Sequence, residues 1–406
     1  MENFLPLVFV LAIFGIVLVI SRKTELGYAL FAGSVLLGVS FRMPPLEFLQ
    51  SILHAASDPK TISLLASIFL ILMLNETLKV SGQMEKLVQA SINLLHDVRL
   101  TTFFLPALIG MLPLPGGAYF SAPMVESTLG KRNINPEKKL FANYWFRHTG
   151  EYINPVYPGI VATATLTGLN FRMIMKANIW LSLAAIIAGA LIVFGGKNQD
   201  FKNEEREYRG NLKEARIFLG GAYPILLILS LVIFFGLNIV CSLASGVLVL
   251  LIHSRPGKKE MKQILKKAAS VQMLCMILGI VFFQNVLADS GAVEKITLFL
   301  KNSGIGLLPV MAIIPLLSGL VTGITIAFVG LSLPLLLPML PEITPWNIMF
   351  IFACGFGGVL LSPVHLCLVI TCQYFKVKLF PIYRYLIPAV LSVTAVGLAG
   401  YLISTR

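Results

Sequence analysis

Charge is scarce in this chain. Only 13% of its 406 residues are charged, against about 25% in an ordinary soluble domain. Acidic side chains are scarcest, 19 Asp and Glu beside 32 Lys and Arg. A soluble enzyme with so little charge would expose large apolar patches, so that class is excluded. Cysteine is sparse too. Cys241, Cys275, Cys354, Cys367 and Cys372 lie in apolar runs without disulfide or metal-site spacing, and read as small core residues. No nucleotide-binding motif or ATPase segment occurs, so any energy source is an ion gradient. No basic run is interleaved with aromatics, which argues against a nucleic-acid partner despite a formal charge of +13.

What is present is apolar length. Hydrophobic residues make up 57% of the chain. Runs such as "FLPLVFVLAIFGIVLVI" and "WLSLAAIIAGALIVFGG" suffice to cross a hydrocarbon core of about 30 Å. The expected class is an all-α polytopic membrane protein in a plasma or inner membrane. The first run follows no basic residue and has no small-residue cleavage site, so it reads as a retained span. Expected spans lie at 5–20, 25–40, 61–80, 139–168, 174–195, 217–236, 238–253, 270–289, 345–372 and 380–402. Interrupted segments lie at 100–129 and 304–340, and a charged linker at 197–216.

Residues 100–112 give a helix of only about 20 Å, and "PLPGG" (113–117) breaks it before 118–129 continues. Such a segment reads as a re-entrant hairpin, whose irregular backbone must line a cavity or be buried in protein. The two halves also match in register. Ser81, Gly82, Glu85 and Lys86 align with Ser290, Gly291, Glu294 and Lys295, and Pro106 and Gly110 with Pro315 and Gly319, at one constant offset. After a single deletion, Gly150, Pro155 and Thr163 align with Gly358, Pro363 and Thr371. The chain therefore divides into a first repeat (1–196), the linker, and a second repeat (217–406). Each repeat has five spans and one hairpin. Five is odd, so the second repeat is expected to be inverted. Most of the 32 basic residues then fall on one side, which is assigned to the cytoplasm, with both termini outside.

The segment "RHTGEYINPVYPG" (147–159) and its partner "GFGGVLLSPVHLC" (355–367) fall inside apolar spans. Asn154-Pro155 and Ser362-Pro363 each pair a good N-cap residue with a proline suited to the first helical position. Gly150 and Gly358 are placed to end the incoming half-helices. Each span thus reads as two half-helices meeting at mid-membrane, where exposed helix N-termini favour an anion and unwound carbonyls a cation. Arg147 and Glu151 stand four apart and either pair with each other or divide the work, Arg147 facing an anion and Glu151 or His148 holding a proton. His365 is a weaker candidate, and Glu76 and Asp289 read as solvated span ends.

On these residues and repeats the chain resembles the ion-transporter superfamily, which includes the divalent-anion/sodium symporters and the citrate, gluconate and arsenite permeases. The "LPLPGGAYFSAPMVE" hairpin is most similar to a ten-span branch of unknown function. The resemblance implies a homodimer with a fixed scaffold and an elevator-like transport domain. By position it assigns substrate or ion contacts to Gly116, Gly117, Ser121, Asn154, Thr322, Gly323, Thr325 and Ser362, beside Arg147 and Glu151. The tip reads Pro-Gly-Gly and the breaks Ile-Asn-Pro and Leu-Ser-Pro, where sodium symporters carry Ser-Asn-Thr, so the coupling ion, Na+ or H+, stays open. The expected function is secondary active transport of a small anionic organic solute, with no catalytic residue, cofactor or bound metal. The alternatives are an intramembrane enzyme, and a channel or a membrane subunit of a larger complex.

Overall fold

The computed structural model describes residues 5–20, 24–95, 97–111, 117–130, 132, 134–195, 212–292, 295 and 306–404. The described residues are helical, with no strand among them. In the first half α1 is Leu5–Ile20, α2 Leu26–Ser40, α3 Pro45–Ser57, α4 Pro59–Val80, α5 Gln83–Leu94, α6 Val98–Gly110, α7 Ala118–Leu129, α8 Pro136–His148, α9 Pro158–Thr167 and α10 Phe171–Phe194. In the second half α11 is Leu212–Ile233, α12 Ile239–Ser254, α13 Lys258–Ala268, α14 Val271–Asp289, α15 Leu307–Thr322, α16 Thr325–Leu336, α17 Pro345–Leu361, α18 Leu366–Phe375 and α19 Leu379–Ser404. The linker expected at 197–216 lies outside the described residues up to 211, and its last five residues belong to α11.

Six helical runs are long and apolar enough to cross a membrane: Pro59–Val80, Phe171–Phe194, Leu212–Ile233, Lys258–Asp289, Pro345–Phe375 and Leu379–Ser404. The protein is polytopic and helical. Its outer surface agrees, since Val39, Leu191, Phe234 and Phe380 are all exposed. In water such a surface would aggregate, whereas acyl chains solvate it.

Many helix starts are fixed by side-chain caps. Asp58 accepts from Lys60 N at 2.8 Å and Asp97 from Arg99 N at 2.8 Å. Asn135, Asn170 and Asn238 do the same for α8, α10 and α12. Thr344 and Asn347 form a reciprocal box at the start of α17. Each cap satisfies an N–H that the helix itself cannot, typically worth ~1 kcal/mol.

Three segments that fall between the expected spans are helices. α3, α5 and α13 are short and amphipathic. α13 keeps Ile264 and Ala268 buried against α4 while Lys258, Lys259, Lys262, Lys266 and Lys267 stay exposed. Their apolar stripes are too short to read as spans, and the stripe is satisfied only by the neighbouring helix. Glu76, expected to be solvated, accepts from Gln263 Nε2 of α13 at 2.7 Å. Asp289 is exposed as expected.

The packing is reciprocal. α2 lies on α14 as α12 lies on α4, and α3 on α14 as α13 on α4. α6 packs on α8 as α15 packs on α17, and α8 on α10 as α17 on α19. The crossing of α15 and α17 is backbone on backbone. A Cβ at Gly319 would meet Gly355 O and come within 2.7 Å of Val359 N, and one at Gly358 would meet Leu316 O. The α6–α8 crossing repeats this, with Gly110 against the Arg147 carbonyl. Only glycine permits such approaches.

Candidate functional site

Four helices begin at the breaks: α7, α9, α16 and α18. Among the described residues, these helices have N-cap residues, Gly117, Tyr157, Ile324 and His365, that make no side-chain cap hydrogen bond. They also cross between halves, since α7 packs on α18 and α16 on α9. At Gly159 and Thr325 the starts of α9 and α16 touch across the two halves.

The first break is the nine-residue turn region 149–157 between α8 and α9. α8 ends at His148 with Thr149 at its C-cap position, and Gly150 follows directly, as expected of the residue that ends the helix. Asn154 does not cap α9, contrary to the reading of the Asn-Pro pair. Helix α9 starts at Pro158, and Asn154 instead closes a local turn by accepting from Val156 N at 3.0 Å. Its amide donates to Met111 O at 2.7 Å, tying the break to the end of α6. Tyr157 hydroxyl donates to Gly110 O beside it. These bonds satisfy carbonyls left open where α6 ends.

The second break is shorter and corrected in the same way. α17 runs through Gly358 to Leu361, and Ser362 is its C-terminal cap position rather than the N-cap of the next helix. Helix α18 begins at Leu366. Ser362 is fully buried, and its Oγ accepts from Val364 N at 3.4 Å. Gly358 serves the α15–α17 crossing and breaks nothing.

Between the breaks sits a buried polar cluster. His148 Nδ1 lies 2.6 Å from Tyr144 O, and His365 Nδ1 lies 2.7 Å from Gly323 O. The two Nε2 atoms face each other at 3.1 Å. Glu151 Oε1 is 3.7 Å from His148 Nε2, and Glu151 Oε2 accepts from Thr325 Oγ1 at 3.3 Å. Cys367 Sγ completes a group with the two imidazoles in which the donor atoms all lie within 4.8 Å of one another. Tyr144 and Phe356 wall the cluster, with ring centroids 4.7 and 6.4 Å from His148.

Arg147 is buried at the end of α8, 2% exposed, and its guanidinium lies against the start of α7. A Cβ at Gly117 would come within 2.5 Å of its Nη1 and 2.6 Å of its Nη2. Ser121, one turn further on, is buried with its Oγ 3.5 Å from Ala118 O. Gly116 lies outside the described residues. Thr322 donates to Ser318 O at 2.7 Å within α15, and Gly323 ends that helix in the left-handed region at φ 63. Arg147, Glu151, Thr325, Gly323 and Gly117 thus gather around the breaks, whereas Thr322 and Ser121 bond within their own helices.

Two members of the cluster were underrated from sequence. The sequence places His365 below Arg147 and Glu151 and reads Cys367 as a core residue; Cys367 is indeed buried in the core, with its thiol beside the two imidazoles. One signal is present in the sequence: His365 is the partner of Tyr157 in the repeat alignment, and each stands directly before a helix as its N-cap position.

Residues 4–403 match the family described as Protein of unknown function (DUF401). The chain belongs to that family. No curated protein matches it. The matched residues include the cluster, both breaks and almost every helix.

Proposed function

We propose that this protein is a secondary active transporter for a small anionic organic solute, driven by an ion gradient. The observation that carries the reading is the meeting of two broken spans at one buried polar site, built from both halves of the chain. Four helix starts without side-chain caps each present a partial positive charge and N–H donors. Buried Arg147 adds a full charge at the start of α7. Ionisable groups at membrane depth are costly, and in transporters they mark the solute or ion path.

The reciprocal packing supports reading the halves as inverted repeats, each with a hairpin (α6–α7 and α15–α16) and a broken span (α8–α9 and α17–α18). On this reading α1–α5 with α11–α14 form a scaffold, and the remaining helices move against it, in a homodimer. Uptake into proteoliposomes from a panel of carboxylates, under imposed sodium or proton gradients, tests the proposal. Saturable uptake that follows one gradient is expected. Flux that never saturates, or that ignores both gradients, would sink it in favour of a channel.

A further inference from the structure

The geometry points to a binding site for a divalent d-block metal ion of the zinc class, formed by His148, His365 and Cys367, with Glu151 as the fourth donor. The site stands whether or not the chain is a carrier.

The argument begins at the far side of each ring. Both Nδ1 atoms lie against backbone carbonyls, at 2.6 and 2.7 Å. A carbonyl only accepts, so each Nδ1 carries the ring proton. In the neutral rings both Nε2 atoms are then bare lone pairs, and they face each other at 3.1 Å. Two acceptors at that distance repel unless a cation lies between them. Fixing the remote N–H on a carbonyl is also how proteins orient metal-binding histidines and raise their basicity.

The spacing suits a metal. A tetrahedral ion with Zn–N bonds of 2.0–2.1 Å holds its two nitrogens about 3.3 Å apart. Cys367 Sγ stands at the third corner, within 4.8 Å of both nitrogens, and closes on the ion with a side-chain shift of ~1 Å. Glu151 Oε1 lies 3.7 Å from His148 Nε2, outside the three-donor group, and would have to move toward the ion to supply a fourth ligand. A thiolate and a carboxylate together balance the ion's divalent charge, which leaves Arg147, among the described residues, as the one net charge beside the filled site. The ligand set of two imidazoles, one thiolate and one carboxylate selects zinc-like ions over magnesium or calcium. His365 is only partly buried, which leaves a way in, while His148, Glu151 and Cys367 are buried. A proton shared by the two imidazoles is the competing occupant. In that state the Cys367 thiol stays hydrogen-bonded to the two rings beside Arg147, so metal titration is what separates the two occupants.

The test uses the purified full-length protein in detergent with zinc or cobalt salts alone. Wild type is expected to bind one Zn2+ per chain, and to show with Co2+ a thiolate-to-cobalt charge-transfer band. Cys367→Ser should abolish the band and weaken zinc binding more than about 100-fold, beyond the usual effect of losing an outer-shell partner. His365→Gln should weaken it as much, and Cys241→Ser, at an exposed cysteine, should change nothing. Zinc should raise the thermal midpoint of wild type but not of Cys367→Ser, which reports on the site even if a variant is less stable. Absence of stoichiometric zinc binding in wild type, or binding indifferent to both Cys367→Ser and His365→Gln, would overturn the site. The first outcome would leave the shared proton as the occupant.

Discussion

Thr325 Oγ1 donates to Glu151 Oε2 at 3.3 Å, across 174 positions of sequence. The bond joins the first residue of α16 to the turn after α8, and so ties one half of the chain to the other at the site. Gly159 makes the approach possible, because a Cβ there would lie 2.5 Å from Thr325 Cγ2.

Thr325→Val keeps the methyl contact with Gly159 and removes only the donor. A hydrogen bond to a charged, buried group contributes about 1.5–3 kcal/mol. The variant should lose that much unfolding free energy in detergent, and Thr325→Ser should restore most of it. An unchanged midpoint in Thr325→Val would mean that the Glu151 carboxylate is held from elsewhere.

Two glycines should respond oppositely to alanine. At Gly319 the new Cβ would meet the backbone of α17, which cannot yield, so Gly319→Ala should fail to fold. At Gly117 it would meet the guanidinium end of the Arg147 side chain, which can swing away. Gly117→Ala should therefore fold and elute normally, yet lose ten-fold or more in apparent solute affinity, as expected for about 1.4 kcal/mol or more. Gly220→Ala, with nothing within 4 Å, is the control. Normal transport by Gly117→Ala would remove Arg147 from the solute path.

Asn154 and Ser362 occupy matching positions but do different work, so their alanine variants should differ. Asn154→Ala breaks bonds to both Met111 O and Val156 N, at about 0.5–1.5 kcal/mol each. Ser362→Ala loses one long bond of 3.4 Å, worth about 0.5 kcal/mol or less. Thermal unfolding of the two variants side by side is the check. Equal losses would contradict the different roles given to the two breaks.

The basic helix α13 and the turn before α12 lie at opposite ends of α12, which is about 24 Å long at 1.5 Å per residue. If positive charge sets orientation, Lys262→Cys should react with an impermeant thiol reagent only after the cells are opened. Phe235→Cys should react in intact cells. Both are made in a background with Cys241 and Cys275 replaced by serine. Reversed labelling would invert the assigned topology.

In the sequence, the correspondence proposed between the halves rests on proline and glycine matches, which are rare in a chain dominated by leucine and valine. The existence of both breaks was legible from the same residues, while their detail was not. Asn154-Pro155 carries the local signature of a helix start, but Pro158 offers the first helical position again three residues later. The backbone takes the later start because the Asn154 amide is drawn to Met111 O, a partner supplied by α6. Ser362-Pro363 misleads for a related reason. Gly358 looks like a stop, yet its lack of a Cβ is used for the crossing with α15, so α17 runs one turn longer. α3 and α13 escaped notice because their apolar stripes have a partner only once α14 and α4 are folded beside them.

By itself the sequence determined that this chain lives in a membrane, because apolar length and scarce charge leave water no role as its main solvent. It also determined where many of the helices begin, through Asp and Asn caps that act over two or three residues. Only the tertiary structure decided what lies at the centre. His148 and His365 are 217 positions apart, and nothing local to either fixes the ring of the other. Their meeting depends on the crossing of α8 with α18 and on two backbone carbonyls that turn each imidazole, and such long-range relations exist only after the helices pack.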